Sequence, residues 1–82
     1  INLMKEKKII QKLQKIFDDI FVLKKIKIIR SLTANNVREW DSLNQINILM
    51  AIEKEFKIKF TIKEIQSMNN VGDTIDCIRK KI

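Results

Sequence analysis

A chain of 82 residues with 45% hydrophobic and 33% charged residues can bury one small core, which argues for a single domain and against disorder. With no histidine and one glycine, the chain lacks the parts for a Ser/His/Asp relay, the usual zinc sites and a glycine-rich phosphate loop. The formal net charge of +7 permits a nucleic acid or an anionic membrane as a partner.

The first element is predicted to be an amphipathic helix from about Leu3 to Ile20. Its apolar residues recur at helical spacing, with lysine and glutamine between them. They are Ile9, Leu13, Ile16, Phe17 and Ile20.

From Phe21 to Asp41 the helical pattern weakens. The stretch LKKIKII (residues 23–29) partly alternates as a strand does, but the chain offers no second strand to pair with it. We therefore predict an ordered loop, with Ile26, Ile28 and Leu32 in the core. A loop of this length in a small domain is often functional.

Three further helix starts follow the loop. Ser42 and Gln45 have the spacing of a capping box, and Thr61 to Glu64 (TIKE) repeats this signature before a short helix. Asn70, followed by Asp73, resembles a third cap, before apolar positions at Val71, Ile75, Ile78 and Ile82. One broad apolar stripe is predicted for the second helix, made of Leu43, Ile46, Leu49, Met50, Ile52 and Phe56.

The predicted fold is all-α. It is a small four-helix bundle of three long helices and one short helix, with a long loop between the first two. One glycine and no proline agree with this class, because glycine and proline commonly mark the tight turns that connect the strands of sheets. The whole chain, residues 1–82, is interpreted as one domain.

Few side chains offer chemistry of their own. Without a base, Ser42 is a weak nucleophile, and by itself it is most simply a helix cap. Glu39 and Asp41 could form an acid/base pair, but an acid beside a helix start chiefly offsets the helix dipole, which we favour for Asp41. Cys77 is interpreted as a small, partly buried apolar side chain. We therefore expect no enzymatic activity.

The stretch WDSLNQINILMAIEKEFKIKF (residues 40–60) resembles the acyl carrier protein family, with Asp41, Ser42 and Leu43 as the core motif. The likeness continues through TIKEI and NNVGDTIDCI, and Ser31 with Leu32 resembles the Ser-Phe pair upstream of the motif. It thus covers nearly the whole chain.

The resemblance implies that Ser42 receives a 4′-phosphopantetheine group from coenzyme A through a phosphopantetheinyl transferase. The tethered thiol then carries an acyl or aminoacyl cargo as a thioester. A helix N-terminus suits this attachment, since its unpaired N–H groups favour a phosphodiester. Asp41 would position the transfer machinery, and Leu43 would lie beside the arm.

The implied partners are acyl-activating ligases, acyltransferases or synthases. Members that serve fatty acid biosynthesis are typically acidic along the helix after the serine, whereas Asn44 and Asn47 occupy such positions here. We therefore expect a specialised carrier with a dedicated ligase or transferase. The expected docking residues are Trp40, Leu43, Ile46, Asn47 and Glu53.

Two other functions stay open. A basic helical module could bind nucleic acid or anionic lipid through the lysines of the first helix, with a steep salt dependence. Tyr is absent and Trp40 lies apart from those lysines, so no base-stacking platform is visible, and a solvated lysine face is the simpler interpretation. A structural adaptor could instead use Trp40 as a docking anchor, although such a Trp more often covers a core.

The expected location is the cytoplasm, and the expected state is a monomer. The single Cys77 cannot form an internal disulfide, which fits a reducing compartment. The longest apolar run, Ile48 to Ile52, is far shorter than the roughly 18 residues of a membrane span. No signal peptide is visible, and a chain that begins with Ile1 is consistent with trimming or excision from a longer one.

Overall fold

A computed structural model describes residues 5–82 of the chain, and no strand occurs in this range. Its helices are α1 (Glu6–Ile20), α2 (Ser42–Phe56), α3 (Ile62–Gln66) and α4 (Val71–Lys81), with a short 3₁₀ turn at Ala34–Asn36 in the long loop. The predicted fold of three long helices, one short helix and a long first connection is confirmed. The predicted start of the first helix, Leu3, lies outside the described residues. None of these helices is long and apolar enough to cross a membrane.

α1 and α2 run antiparallel. Lys12, in the first half of α1, contacts Glu55 near the end of α2 at 2.7 Å. Phe17, near the end of α1, packs edge-on against Trp40 just before α2, with the ring centroids 5.1 Å apart. The end of α1 therefore supports the start of α2, where Ser42 lies.

The apolar faces predicted for the first and last helices enter one core. Ile20 and Ile82 are half-buried at its edge. The buried members, none more than 8% exposed, are Ile9, Leu13, Ile16 and Phe17 of α1 and Val71, Ile75 and Ile78 of α4.

The long loop is ordered, as predicted. Ile26, Ile28 and Leu32 are buried, between 5% and 8% exposed. Instead of a second strand, the side chain of Gln14 pairs with this segment: its Nε2 donates to Ile26 O at 2.7 Å, and its Oε1 accepts from Ile28 N at 3.0 Å. The strand-like alternation is thus real, but one amide of α1 takes the place of the missing strand.

The same loop is fastened to α4. Leu32 O accepts a hydrogen bond from Val71 N at 2.9 Å, and Arg30 O accepts one from Gly72 N at 2.8 Å. These bonds satisfy N–H groups in the first turn of α4, which have no partner inside the helix. The Arg30 guanidinium also bonds Asp76 at 2.8 Å, so loop and helix are joined through both backbone and side chain.

The predicted caps of the two later helices are confirmed. Glu64 N donates to Thr61 Oγ1 at 3.1 Å, and Thr61 N donates to Glu64 Oε1 at 2.8 Å, which is a complete capping box. Asp73 N donates to Asn70 Oδ1 at 2.8 Å. The local sequence around each cap residue was therefore sufficient to predict where α3 and α4 begin.

The prediction of one broad apolar stripe on α2 is wrong, because the helix carries two. The stripe in the core consists of Ile48, Leu49, Ile52 and Phe56, each less than 9% exposed. Leu43, Ile46 and Met50 form a second stripe that is 54% to 67% exposed. Exposed apolar side chains that share one helix face indicate an interaction surface.

Candidate functional site

Ser42 is the first residue of α2, but Asp41 caps the helix. The Asp41 backbone is extended, with φ −95° and ψ −174°, and its Oδ1 accepts a hydrogen bond from Asn44 N at 2.8 Å. The predicted capping box of Ser42 and Gln45 is therefore wrong. Aspartate is as good a cap as serine and stands one residue earlier. Gln45 has a different partner, since its Oε1 accepts from Trp40 Nε1 at 2.6 Å.

This cap leaves the Ser42 hydroxyl available. The side chain is exposed, and within residues 5–82 its oxygen has no hydrogen-bond partner. In the same range the backbone N–H groups of Ser42 and Leu43 also find no acceptor. Unpaired N–H groups at a helix start carry the positive end of the helix dipole and bind anions. Among the described residues, this helix start therefore offers two N–H donors to an anion.

An open groove of about 580 Å³ lies beside Ser42. Trp40 and Ile46 line it from the α2 side, and Ile65 and Met68 line it from the α3 side. Asparagine, glutamine and threonine side chains, together with Ala34 and the carboxylate residue Asp41, also line it. A flexible chain with amide groups and an apolar end would find both kinds of contact here.

Comparison with known proteins gives a consistent result, although no family model matches. The acyl carrier protein of Buchnera aphidicola subsp. Schizaphis graminum is 32% identical over 71 residues, 87% of this chain and 90% of that protein. The acyl carrier protein of Buchnera aphidicola subsp. Acyrthosiphon pisum (strain Tuc7) is 32% identical over 92% of this chain and 94% of its own length. The solution NMR structure of holo acyl carrier protein from Geobacter metallireducens matches with a TM-score of 0.81 and 38% identity, over 88% of this chain and 83% of that one.

The chain belongs to the acyl carrier protein family. It is therefore a carrier protein, and its prosthetic group is a covalently attached 4′-phosphopantetheine. The Ser42 hydroxyl and the two N–H groups, which have no partner in the part of the chain that the structure describes, fit such a group, as does the adjacent groove.

Two of the expected docking residues of this acyl carrier protein are apolar side chains that are more than half exposed. Leu43 is 67% exposed and Ile46 is 54% exposed. Asn47 is exposed beside them, and its Nδ2 donates to Asn44 Oδ1 at 3.3 Å. Met50, 62% exposed, continues the same face and was not expected there. Its spacing, four residues after Ile46 and seven after Leu43, was the signal in the sequence.

The other two expected docking residues have structural partners in this carrier. Trp40 is half-buried, with its ring in a T-shaped contact with Phe17 and its indole N–H bonded to Gln45. It thus covers the end of the core. Glu53 is half-buried, and its Oε2 accepts a hydrogen bond from Phe60 N at 2.8 Å, which holds the connection to α3.

The remaining reactive side chains of the acyl carrier protein are not assembled into a site. Glu39 lies 3.5 Å from Lys24, and Asp41 caps α2, so the two acids are held by different partners. Burial, and next the nearby Glu64, raise the pKa of the half-buried Cys77 thiol. Within residues 5–82, no group of three or more His, Cys, Asp or Glu is placed to hold a metal ion.

Proposed function

We propose that Ser42 is the residue to which the 4′-phosphopantetheine of this acyl carrier protein is attached. The observation that carries the proposal is the exposed hydroxyl at the first position of α2, which no other group engages within the described residues. Asp41 supplies the cap, so modification of the serine oxygen breaks no bond of the fold.

The bound group supplies a thiol that carries an acyl or aminoacyl cargo as a thioester between enzymes. The chain itself provides the attachment oxygen, two N–H donors for the phosphate and a groove beside it. Because the chain lacks histidine and Asp41 acts as a cap, the proton of Ser42 has to pass to a base on a phosphopantetheinyl transferase. We assign no catalytic step to the chain's own residues.

The proposed docking surface for partner enzymes is the exposed stripe of Leu43, Ile46 and Met50. These side chains begin directly after Ser42 and follow one face of α2, so a partner that contacts them also reaches the arm. Apolar contacts at the centre of an interface with polar groups around them are typical of protein partners. The transferase and an acyl-activating ligase, acyltransferase or synthase are the proposed partners.

We also propose that this carrier serves a dedicated ligase or transferase. Its α2 carries only two acids, and both have partners within the fold: Glu53 accepts from Phe60 N, and the exposed Glu55 lies 2.7 Å from Lys12 in a surface ion pair. A basic docking patch would find no unengaged carboxylate on this helix. Binding to a basic fatty acid ketosynthase should therefore be weak, and tight docking that weakens with salt would contradict the specialisation.

Mass spectrometry tests the attachment residue directly. The full chain is incubated with coenzyme A and a broad-specificity phosphopantetheinyl transferase. The parent protein and a Ser31→Ala control, which alters another exposed serine, should gain one phosphopantetheine. Ser42→Ala should gain none. A parent protein that stays unmodified, or a Ser42→Ala protein that is modified, would refute the assignment.

A cytoplasmic, monomeric protein remains part of the proposal. A carrier that works through a thiol needs a reducing compartment, and the lone Cys77 agrees with one. Analytical ultracentrifugation of the modified protein tests the monomer, and a stable dimer would contradict it.

A further inference from the structure

A turn directly after α1 exposes two large apolar side chains. Phe21 O accepts a hydrogen bond from Lys24 N at 3.1 Å, which closes a turn with Val22 and Leu23 at its centre. Val22 is 76% exposed and Leu23 is 99% exposed. We call these two residues the apolar tip.

The residue directly before the apolar tip is buried in the core. Phe21 is 5% exposed, and its ring centroid lies 5.7 Å from that of Phe17 and 6.4 Å from that of Trp40. The turn is therefore anchored in the core on one side while its two central side chains face water. A frayed helix end would not have a buried aromatic residue immediately before the exposed pair.

Three lysines follow the apolar tip within four residues. Lys24, Lys25 and Lys27 are all exposed. Lys24 lies 3.5 Å from Glu39, whereas Lys25 and Lys27 have no acidic partner among residues 5–82. On its Lys25 and Lys27 side, the tip therefore adjoins positive charge that no ion pair within residues 5–82 engages, while the exposed Asp18 and Asp19 lie on its α1 side.

We propose that the apolar tip, with Lys25 and Lys27, binds the surface of an anionic membrane. Apolar side chains can enter the boundary between headgroups and acyl chains while neighbouring lysines contact anionic headgroups. The surface area of two apolar side chains and two lysines is far smaller than the roughly 800 Å² that each partner buries in a standard protein interface. A fluid lipid surface needs no such complementary area, which favours a membrane over a protein as the occupant.

The position of the apolar tip relates this contact to the carrier's own site. Val22 and Leu23 share a groove of about 510 Å³ with Asn44, which lies two residues after Ser42. Membrane contact at the tip therefore brings the Ser42 end of the molecule to the lipid surface. This consequence rests on the proposed function, under which the cargo passes to or from an acyl-transfer enzyme at that surface.

Flotation of the full chain with lipid vesicles tests the contact. The protein should bind vesicles of phosphatidylcholine with phosphatidylglycerol, bind vesicles of phosphatidylcholine alone much more weakly, and release from the anionic vesicles as salt rises. Leu23→Ser should weaken binding about tenfold or more, since it removes the largest inserting side chain. Lys25→Gln with Lys27→Gln should weaken it roughly 25-fold, at about fivefold per lysine.

Matched variants elsewhere on the surface distinguish this contact from nonspecific binding of the protein to vesicles. Ile62→Ser removes another side chain that is 74% exposed, and Lys57→Gln with Lys59→Gln removes two exposed lysines beyond α2. Both should leave vesicle binding within about twofold, since neither position adjoins the apolar tip. No binding to anionic vesicles, or equal losses in these controls, would overturn the proposal.

The result does not depend on the attachment at Ser42. Ser42→Ala should bind anionic vesicles as the parent protein does, and Leu23→Ser should still gain one phosphopantetheine from the transferase. A parent protein that is loaded but stays off the vesicles refutes the membrane contact alone. A parent protein that binds vesicles but is never loaded refutes the attachment alone.

Discussion

Replacing Asp41 with alanine tests which residue starts α2. The change removes the hydrogen bond from Asn44 N to Asp41 Oδ1, and loss of such a cap costs about 1 kcal/mol and at most about 2 kcal/mol. It also removes a negative charge from the helix start, which is worth about 0.3–1 kcal/mol. Because Asp41 is exposed, no buried contact is lost with it. We expect a total loss of about 1.5 kcal/mol of unfolding free energy.

Two companion variants divide this loss into its parts. Asp41→Asn keeps an oxygen that can cap the helix and removes only the charge, so it should cost about 0.3–1 kcal/mol. Ser42→Ala removes an exposed hydroxyl that has no hydrogen bond among residues 5–82, so the unfolding free energy should change by no more than about 0.5 kcal/mol. The expected order of destabilisation is Asp41→Ala, then Asp41→Asn, then Ser42→Ala.

Urea and thermal unfolding of the unmodified proteins, followed by circular dichroism, measure these differences. In a domain of this size, a loss of about 1 kcal/mol lowers the melting temperature by roughly 4–8 °C. Added salt should shrink the cost of Asp41→Asn, which is electrostatic, more than the further cost of alanine. If Ser42→Ala destabilises the protein as much as Asp41→Ala does, the serine is the cap, its oxygen is engaged, and the reasoning about its availability fails.

Three further outcomes are expected. Gly72→Ala should lower the free energy of unfolding, measured in urea, by about 1 kcal/mol. Its new Cβ would lie 3.1 Å from Arg30 O, and this overpacking outweighs the gain in helix propensity. A more stable variant would contradict this. A hydrogen bond from the Thr61 backbone chiefly lowers the pKa of Glu64 from its ordinary 4.5, so stability should fall as pH drops through and below 4.5. Glu64→Gln, which keeps the capping box, should flatten that fall, and an unchanged slope would count against it. Since burial raises the pKa of Cys77, its alkylation by iodoacetamide at neutral pH should be slower than that of a free cysteine; equal rates would refute this.

The start of α2 shows what local sequence could not decide. Asp41 and Ser42 are adjacent and about equally good caps, so the choice depends on which backbone is extended. Tertiary packing sets that backbone, because Trp40 rests on Phe17 and bonds Gln45. At Thr61 the neighbouring residues are poor caps. At Asn70 the neighbouring Asn69 is an equally good cap, but the spacing to Asp73 predicted the residue that has the role.

The exposed stripe of α2 has a similar origin. Helical periodicity shows which positions are apolar, but not which of two neighbouring stripes has a partner in the fold. Ile48, Ile52 and Phe56 share the core with α1 and α4, whereas no helix or loop covers Leu43 or Met50 within the described residues. A small domain with three long helices can bury only part of an apolar helix surface. The residue types therefore predicted one broad apolar stripe, and only the packing separates its core part from the proposed docking surface.

Asp41 and Ser42 have different roles at the start of α2: Asp41 caps the helix, and Ser42 is the proposed attachment residue. If Ser42 were the cap, its oxygen would accept a helix N–H, and attachment of a phosphate there would disturb the bond that starts α2. With the cap one residue earlier, Asn44 N is satisfied by Asp41, and the N–H groups of Ser42 and Leu43 have no acceptor among residues 5–82, so under the proposed attachment they are available to the phosphate. The first turn of α2 can therefore keep its own hydrogen bonds both before and after the arm is attached. Under the proposed attachment, this arrangement gives a physical reason why the serine directly after the aspartate, and not the helix cap itself, carries the arm.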